Sequence, residues 1–372
     1  MSVRDEPQTG SAGSLMELDD GQGVSLYHHN GGPQGSGSYR LGRLMSDDLR
    51  TMHGVSDVAS TRSLWERELD YSYFENRRYG GEYFMPNDEV EQVRLTLVHQ
   101  LLLQALDNEI TVLDLPDPTH VLDVGTGTGE WAIHYAEMYP NCEVVGTDVA
   151  AIGETKGVPI NVFFEIEDAE EWDRPLDHYD LVHMRWMSGA FRDWKYVYSK
   201  AYESIKPGGW IEVQDCTNVF EAFLEHLPVG SELQCLFENF RIATARSGRP
   251  FNPAHLEPAM LMNAGFVDVM SMEHVLPLGC PDKSLRSLWA VVCIDYIEAV
   301  FLRTLIEHMG WDPQECKAKC DAAAWEVARI LKEASPGSET VAIRMRVIVG
   351  RKPQCSTQPA RDSNHANCCC ND

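Results

Sequence analysis

Positive charge is what this chain has least of: 31 Lys and Arg stand against 57 Asp and Glu in 372 residues, a formal net charge of −26. A field of that sign repels nucleic acid and anionic membrane surfaces unless a local basic patch overrides it. The basic runs go no further than pairs such as Arg77-Arg78, so no nucleic-acid partner is expected. Long apolar runs are missing too. None approaches the roughly 18 consecutive apolar residues of a spanning helix, so no membrane partner is expected. The opening MSVRDEPQTGSAGS lacks a basic start followed by an apolar core and does not read as a secretory signal. The expected location is cytoplasmic or nuclear. Metal-ligand patterns are likewise absent: Cys316 and Cys320 sit one helical turn apart with no His-x-x-x-His or second cysteine pair nearby, and no metal is expected. The remaining cysteines are scattered, apart from the tail run Cys368, Cys369 and Cys370, and offer no disulfide framework. The tail over 354–372 does not end in a prenylation pattern and reads as a flexible appendage.

What the chain does have is an ordinary globular balance, 44% hydrophobic and 24% charged residues. Residues 1–60 are rich in Gly, Ser, Asp and Asn without a sustained apolar period, and are expected to be disordered. The stretch 61–108 holds an aromatic lead-in, RSLWERELDYSYFENRRYGGEYFMPND, and a first helix that Asn87 or Asp88 can cap. From 109 to 353 short apolar strands alternate with helices: THVLDVG, CEVVGTDV, VFFEIED, HYDLVHM and WIEVQD supply five strands. That alternation predicts an α/β fold with a mostly parallel, seven-stranded sheet covered on both faces. Lys206-Pro207-Gly208-Gly209 reads as the stop and turn feeding the fifth strand, and 253–264 as one helix closed by Gly265. Two further strands, FVDVMSMEHVLPL and TVAIRMRVIVGRKP, bracket a helical insertion at about 281–336, which is expected either to cover the pocket or to flank the sheet.

The strongest local signal is VLDVGTGTGEWAIHYA. Gly125, Gly127 and Gly129, with Thr126 between them, allow a tight turn and a close approach of backbone to ligand after a buried strand. A glycine pattern alone fits a dinucleotide or a methyl donor. Asp123 before the loop and Glu130 after it put two acids at its mouth, which suits a zwitterionic sulfonium better than a pyrophosphate. Asp148, with Val149 beside it, ends the second strand where a carboxylate can accept both ribose hydroxyls of an adenosine. Asp168 after the third strand can accept from the adenine amino group, with Ala169 offering backbone to the ring; the alternative is that Asp168 only caps the following turn. Ligands of parallel sheets bind beyond the carboxyl ends of strands, so His183, Arg185, Gln214 and Asp215 are candidate neighbours of the substrate. His183 is read either as a general base or as a packed, hydrogen-bonded histidine.

Taken together, VLDVGTGTGEWA, VVGTDV, EDAEEW, YDLVHMRWMSGAFRDW and IKPGGWIEVQD resemble a class I S-adenosylmethionine-dependent methyltransferase, within it the fungal LaeA-like secondary-metabolite group. The lead-in ENRRYGGEYFMPNDEVEQVRLTLVHQLLL resembles that group's Glu-Asn-Gly-Arg-x-Tyr-His segment, its Pro-Asn-Asp and its Glu-x-x-Arg-Leu helix. One residue is missing: no glycine follows Asn76, Arg77 and Tyr79 match the group's arginine and tyrosine, and Gly80 stands where its histidine would be. The resemblance implies a Rossmann-like fold, S-adenosylmethionine as cofactor, contacts to it from Asp123, Gly125, Thr126, Gly127, Gly129, Asp148, Val149, Asp168 and Ala169, and no metal. Tyr79 either helps to close that site or docks the lead-in. The implied activity is methyl transfer to oxygen or nitrogen of a small metabolite. Tyr83, Phe84, Trp186, Phe191 and Trp194 are candidates to line a pocket for a largely apolar or aromatic acceptor, although each alone reads more readily as core than as contact. The alternative it implies is a nuclear regulator of secondary metabolism with protein partners in a velvet-type complex.

Overall fold

A computed structural model of the chain describes residues 25–29, 38–42, 71–151, 157–334 and 338–354. Two short strands, β1 (Ser25–His29) and β2 (Ser38–Gly42), fall where composition gave no element; the rest of 1–60 and the tail beyond 354 lie outside the described residues. A hairpin follows, β3 (Tyr71–Phe74) and β4 (Arg77–Gly80), in register Phe74 to Arg77. Its two-residue turn puts Glu75 at φ 47° and Asn76 at φ 62°, the paired left-handed residues that such a turn requires and that Asn-Gly meets best. Helix α1 (Glu89–Ala105) starts at Asp88, whose side chain accepts from the Glu91 N–H.

The alternating core then appears in sequence order: β5 (His120–Val124), α2 (Glu130–Met138), β6 (Glu143–Asp148), β7 (Val162–Ile166), β8 (Tyr179–Arg185), α3 (Trp194–Ser204) and β9 (Ile205–Cys216). Buried apolar runs such as Val121, Leu122 and Val124 fit strands covered on both faces. After β9 come α4 (Glu221–Leu224), α5 (Glu232–Arg246), α6 (Pro258–Asn263), β10 (Val267–Gly279), α7 (Lys283–Met309), α8 (Pro313–Glu333) and β11 (Ser338–Arg351). The sheet runs β1-β2-β7-β6-β5-β8-β9-β11-β10. Its seven-stranded heart, β7 to β10, is parallel from β7 to β9, with β11 antiparallel to β9 and β10. It is an α/β, Rossmann-like sheet. The order reverses at β5, so a crevice opens at the carboxyl ends of β5, β6 and β8, where such folds take ligands.

Two local expectations are corrected. Lys206-Pro207-Gly208-Gly209 is already part of β9, not a turn before it, and is held to the end of β11 by Gly208 N–H to Lys352 O (2.9 Å) and Lys352 N–H to Gly209 O (2.8 Å). The stretch 253–264 is not one helix but a 3₁₀ turn, Pro253–Leu256, followed by α6. Pro258 has no N–H to give and holds Glu257 extended (ψ 126°), which breaks the run. Helices α7 and α8, parted at Gly310 (φ 71°), pack on each other and on α5, with α7 also against α1. They share one apolar core with α1, α5 and the inner ends of β10 and β11.

Candidate active site

The glycine loop is pinned to the neighbouring strand before any ligand arrives. Gly125 and Thr126 both donate to the Thr147 carbonyl (2.8 Å each), and Gly129 donates to Thr126 O (2.9 Å). Gly125, Gly127 and Gly129 all lie at positive φ, and a Cβ at Gly125 or Gly129 would run into the Met187 sulfur or the Phe164 ring. The loop is thus pressed flat against side chains, with Gly125 and Gly127 in the wall of a cavity of about 590 Å³.

Asp148 closes this cradle from the end of β6. One carboxylate oxygen accepts from Gly127 N–H (2.9 Å), the other from Ala150 N–H (3.1 Å). Burial pushes its carboxyl up to about 6, against the lowering pull of those two amides. Val149, Asp168 and Ala169 line the same cavity. Asp168 also accepts from Glu170 N–H (2.9 Å) as cap of a 3₁₀ turn, so the cap coexists with its place in the wall.

Asp123 lies deeper, 3% exposed, with one oxygen taking the Thr126 hydroxyl (2.7 Å) and the other hydrogen-bonded to His183 Nδ1 (2.7 Å). It faces a smaller cavity of about 60 Å³ behind the loop, together with Thr126, Thr128 and Glu130. Its work is to brace the loop. His183, paired with Asp123 in strand register, is wholly buried and stacks on Trp131 at 3.7 Å between ring centroids. It lines neither cavity, and its surroundings fit the packed, hydrogen-bonded reading of the two.

Arg185, two residues on along the same strand, lines both cavities. Tyr79 does not reach either: it is buried under the Arg303 guanidinium, 4.7 Å from its ring centroid, and docks the lead-in. The backbone of the next residue does the covering instead. Gly80 lines the cavity, and a Cβ there would stand 2.7 Å from the Ala150 Cβ and 3.3 Å from Asn87 Nδ2.

Beyond the cradle the cavity becomes aromatic. Of the candidate aromatics, Tyr83, Phe84, Trp186 and Phe191 line it, whereas Trp194 stacks on His255 at 4.2 Å. Phe251 and Tyr296, brought in by the α5–α6 connection and by α7, complete the wall. Of the two polar residues ending β9, Asp215 faces the cavity and Gln214 faces away, as the two-residue alternation of a strand demands. Asp215 is engaged by Ser188 N–H (2.7 Å), Cys216 N–H (2.7 Å) and His255 Nε2 (3.1 Å), and so fixes the loop after β8.

Two features escaped the sequence reading of the site. The Glu91–Arg94 pair, bidentate at 2.8 and 2.5 Å and nearly sealed from solvent, lies in the cavity wall with Arg94 over Tyr296. Its signal was present in the Glu-x-x-Arg-Leu of the lead-in helix. At the mouth, Glu82, Arg192, Glu170 and Arg249 form a chain of ion pairs from the lead-in to the α5–α6 connection. Nothing in sequence spacing connects those four.

A carboxylate at each of two neighbouring strand tips, beside a glycine loop pinned to the adjacent strand, suits an adenosine carrying a short zwitterionic tail. This is the arrangement of class I methyltransferases. Residues 92–275 match the family model described as a methyltransferase domain. The chain is 33% identical over 268 residues to methyltransferase pytC of Aspergillus terreus, covering 69% of this chain and 82% of that protein. It is 35% identical to the secondary metabolism regulator LAE1 of Cochliobolus heterostrophus, over 65% of this chain and 84% of that one. To the protein-methionine methyltransferase laeA of Emericella nidulans it is 32% identical, over 59% of each chain. The chain belongs to the class I S-adenosylmethionine-dependent methyltransferases, in the group related to fungal LaeA and pytC. Among the described residues no helix is long and apolar enough to cross a membrane.

Proposed function

We propose that this methyltransferase acts on an oxygen or nitrogen of a small, largely apolar or aromatic secondary metabolite, in the cytoplasm or nucleus. The observation that carries the reading is the continuity of one cavity, from Gly125, Gly127 and Asp148 at one end to Phe84, Phe251 and Tyr296 at the other. S-adenosylmethionine, when bound, supplies an activated methyl group on a sulfonium, so the protein's part is alignment, desolvation and charge balance. Asp148 is suited to accept from the ribose hydroxyls, Asp168 to receive the adenine amino group, and the Gly125–Gly129 loop to hold the amino-acid tail with Asp123 bracing it. Residues 80–86 of the lead-in and Tyr296 of α7 line this cavity and are placed to shield a bound acceptor.

Among the described residues, three ionisable groups of this cavity are ill suited to act as general base. Asp215 has its oxygens engaged by three nitrogens, and burial raises the phenols of Tyr83 and Tyr296 out of reach of neutral pH. An acceptor that is already nucleophilic, such as an amine or an acidic enol or phenol, fits such a pocket best. Titration calorimetry of the full chain with S-adenosylmethionine, beside an Asp148→Ala variant, tests the cofactor part. A screen of metabolites with labelled methyl donor then tests the acceptor. Failure of the folded wild type to bind the cofactor overturns the reading.

A regulatory role in a velvet-type complex is the second reading, favoured by the match to relatives named as regulators. The name of the Emericella relative adds a methionine side chain of a protein as an acceptor to try. Copurification with a velvet protein, joined to transfer onto protein but onto no metabolite, would decide for it.

A further inference from the structure

Two arginines that this fold encloses are matched with carboxylates. Arg94 holds Glu91 in a bidentate pair, and Arg174 holds Glu165 and Glu167. Arg185 breaks the pattern. It ends β8 one step beyond the Val124–Met184 register pair, which sets it level with Gly125. Its hydrogen bond runs from Nη2 to Nδ1 of His99 on α1, at 3.1 Å. His99 is held neutral, its imidazole pushed down to about 3 by burial and by Arg185 itself, so it accepts the bond without supplying charge. Asp123, Glu130 and Glu212 influence Arg185 through space. Asp123 is committed to Thr126 and His183, and Glu212 to Thr111 and Gln214.

Arg185 is only partly exposed, at the wall of both cavities, and a guanidinium held there by a neutral imidazole is free to give a charge-assisted hydrogen bond to a ligand that brings an anion. Arg185 stands where the two cavities meet, in the wall of both, beside Gly125 and Gly127. The small cavity behind the loop is too narrow for an aromatic acceptor and has the scale of an amino-acid tail. We infer that Arg185 is the receptor for the α-carboxylate of the cofactor's methionine moiety, forming a charge-assisted pair with it at the end of β8. The inference rests on the cofactor reading above and adds a role for a side chain that pattern alone set beside the acceptor. Arg185 is a binding and positioning residue: the pair it forms anchors the tail and so fixes where the methyl group stands.

The test uses S-adenosylhomocysteine and its decarboxylated counterpart, which differ by the carboxylate alone, titrated calorimetrically into the full-length wild type and an Arg185→Gln variant. The wild type should prefer the carboxylated ligand by about tenfold or more, as a charge-assisted hydrogen bond implies. In Arg185→Gln that preference should fall to within about threefold, with affinity for the decarboxylated ligand little changed. Arg185→Lys should keep part of the preference, and it replaces the Gln variant if that fails to fold. Equal affinities in the wild type, or a full preference surviving in the variants, overturns the inference and leaves Arg185 to the acceptor. Binding of neither ligand to folded wild type is a different result, because it overturns the cofactor reading itself.

Discussion

The two ends of the cavity are made from different material. At the cradle, the tips of β5, β6 and β7 present backbone amides and acids from short, contiguous segments, each fixed by the strand before it. At the aromatic end, side chains arrive from the lead-in, the loop after β8, the α5–α6 connection and α7, and they touch only because the tertiary fold brings them together. The first end is rigid for local reasons, and the second is as stable as the packing of distant helices. Cofactor binding should therefore respond to backbone changes at the loop, and acceptor choice to side-chain changes far along the chain.

The sharpest way to break that contrast is Gly129→Ala. At φ 82°, with its Cβ directed into the Phe164 ring, the substitution should cost about 2–4 kcal/mol of stability and abolish measurable cofactor binding. A thermal melt and a titration would show both, and an unchanged melting temperature would contradict the pressed-loop description. Next comes Asp148. Its folded-state carboxyl lies near 6, above the unfolded value, so the native state holds that proton more tightly and stability declines as pH rises from about 4 through 6. Cofactor binding that needs the ionised form runs the other way. Affinity should weaken about tenfold between pH 7 and pH 5, and Asp148→Asn should bind weakly with that slope gone.

At the far end, Phe251→Ala opens a gap among Phe84, Phe220 and Phe240 without touching the cradle. Cofactor Kd should stay within about threefold, while kcat/KM for an acceptor found by screening should drop about tenfold, or roughly 1.4 kcal/mol. A large loss of cofactor affinity would mean that the two ends are coupled. The smallest effect belongs to the turn of the β3–β4 hairpin. Replacing Glu75 by Gly relieves a left-handed non-glycine residue and should stabilise the protein by about 1 kcal/mol in denaturant unfolding, with cofactor binding unmoved.

This division also explains what could be read from residues in order. The strands, the loop, Asp148 and the Asp168 turn are written in short windows, so period and turn chemistry sufficed. His183 stayed open between two readings because strand alternation gives a face but not what already occupies it. Its face holds Asp123 and Trp131, and both come from other elements. Tyr79 stayed open for a similar reason: its side chain turns to Arg303 of α7. Trp194 turned to His255, and Tyr296 arrived in the cavity from a helix more than a hundred residues after the loop. The Glu91–Arg94 pair was visible as a pattern, yet its position in the wall follows from how α1 lies against α7.

Gly80 sets a limit on what this edge of the cavity can offer. A side chain at 80 would collide with Ala150, so the position is confined to backbone while the hairpin keeps its present length. Any functional group that is to enter the cavity from this edge must be carried by a neighbour such as Glu82, Tyr83 or Phe84, and re-engineering of the wall here begins with those positions and not with the turn.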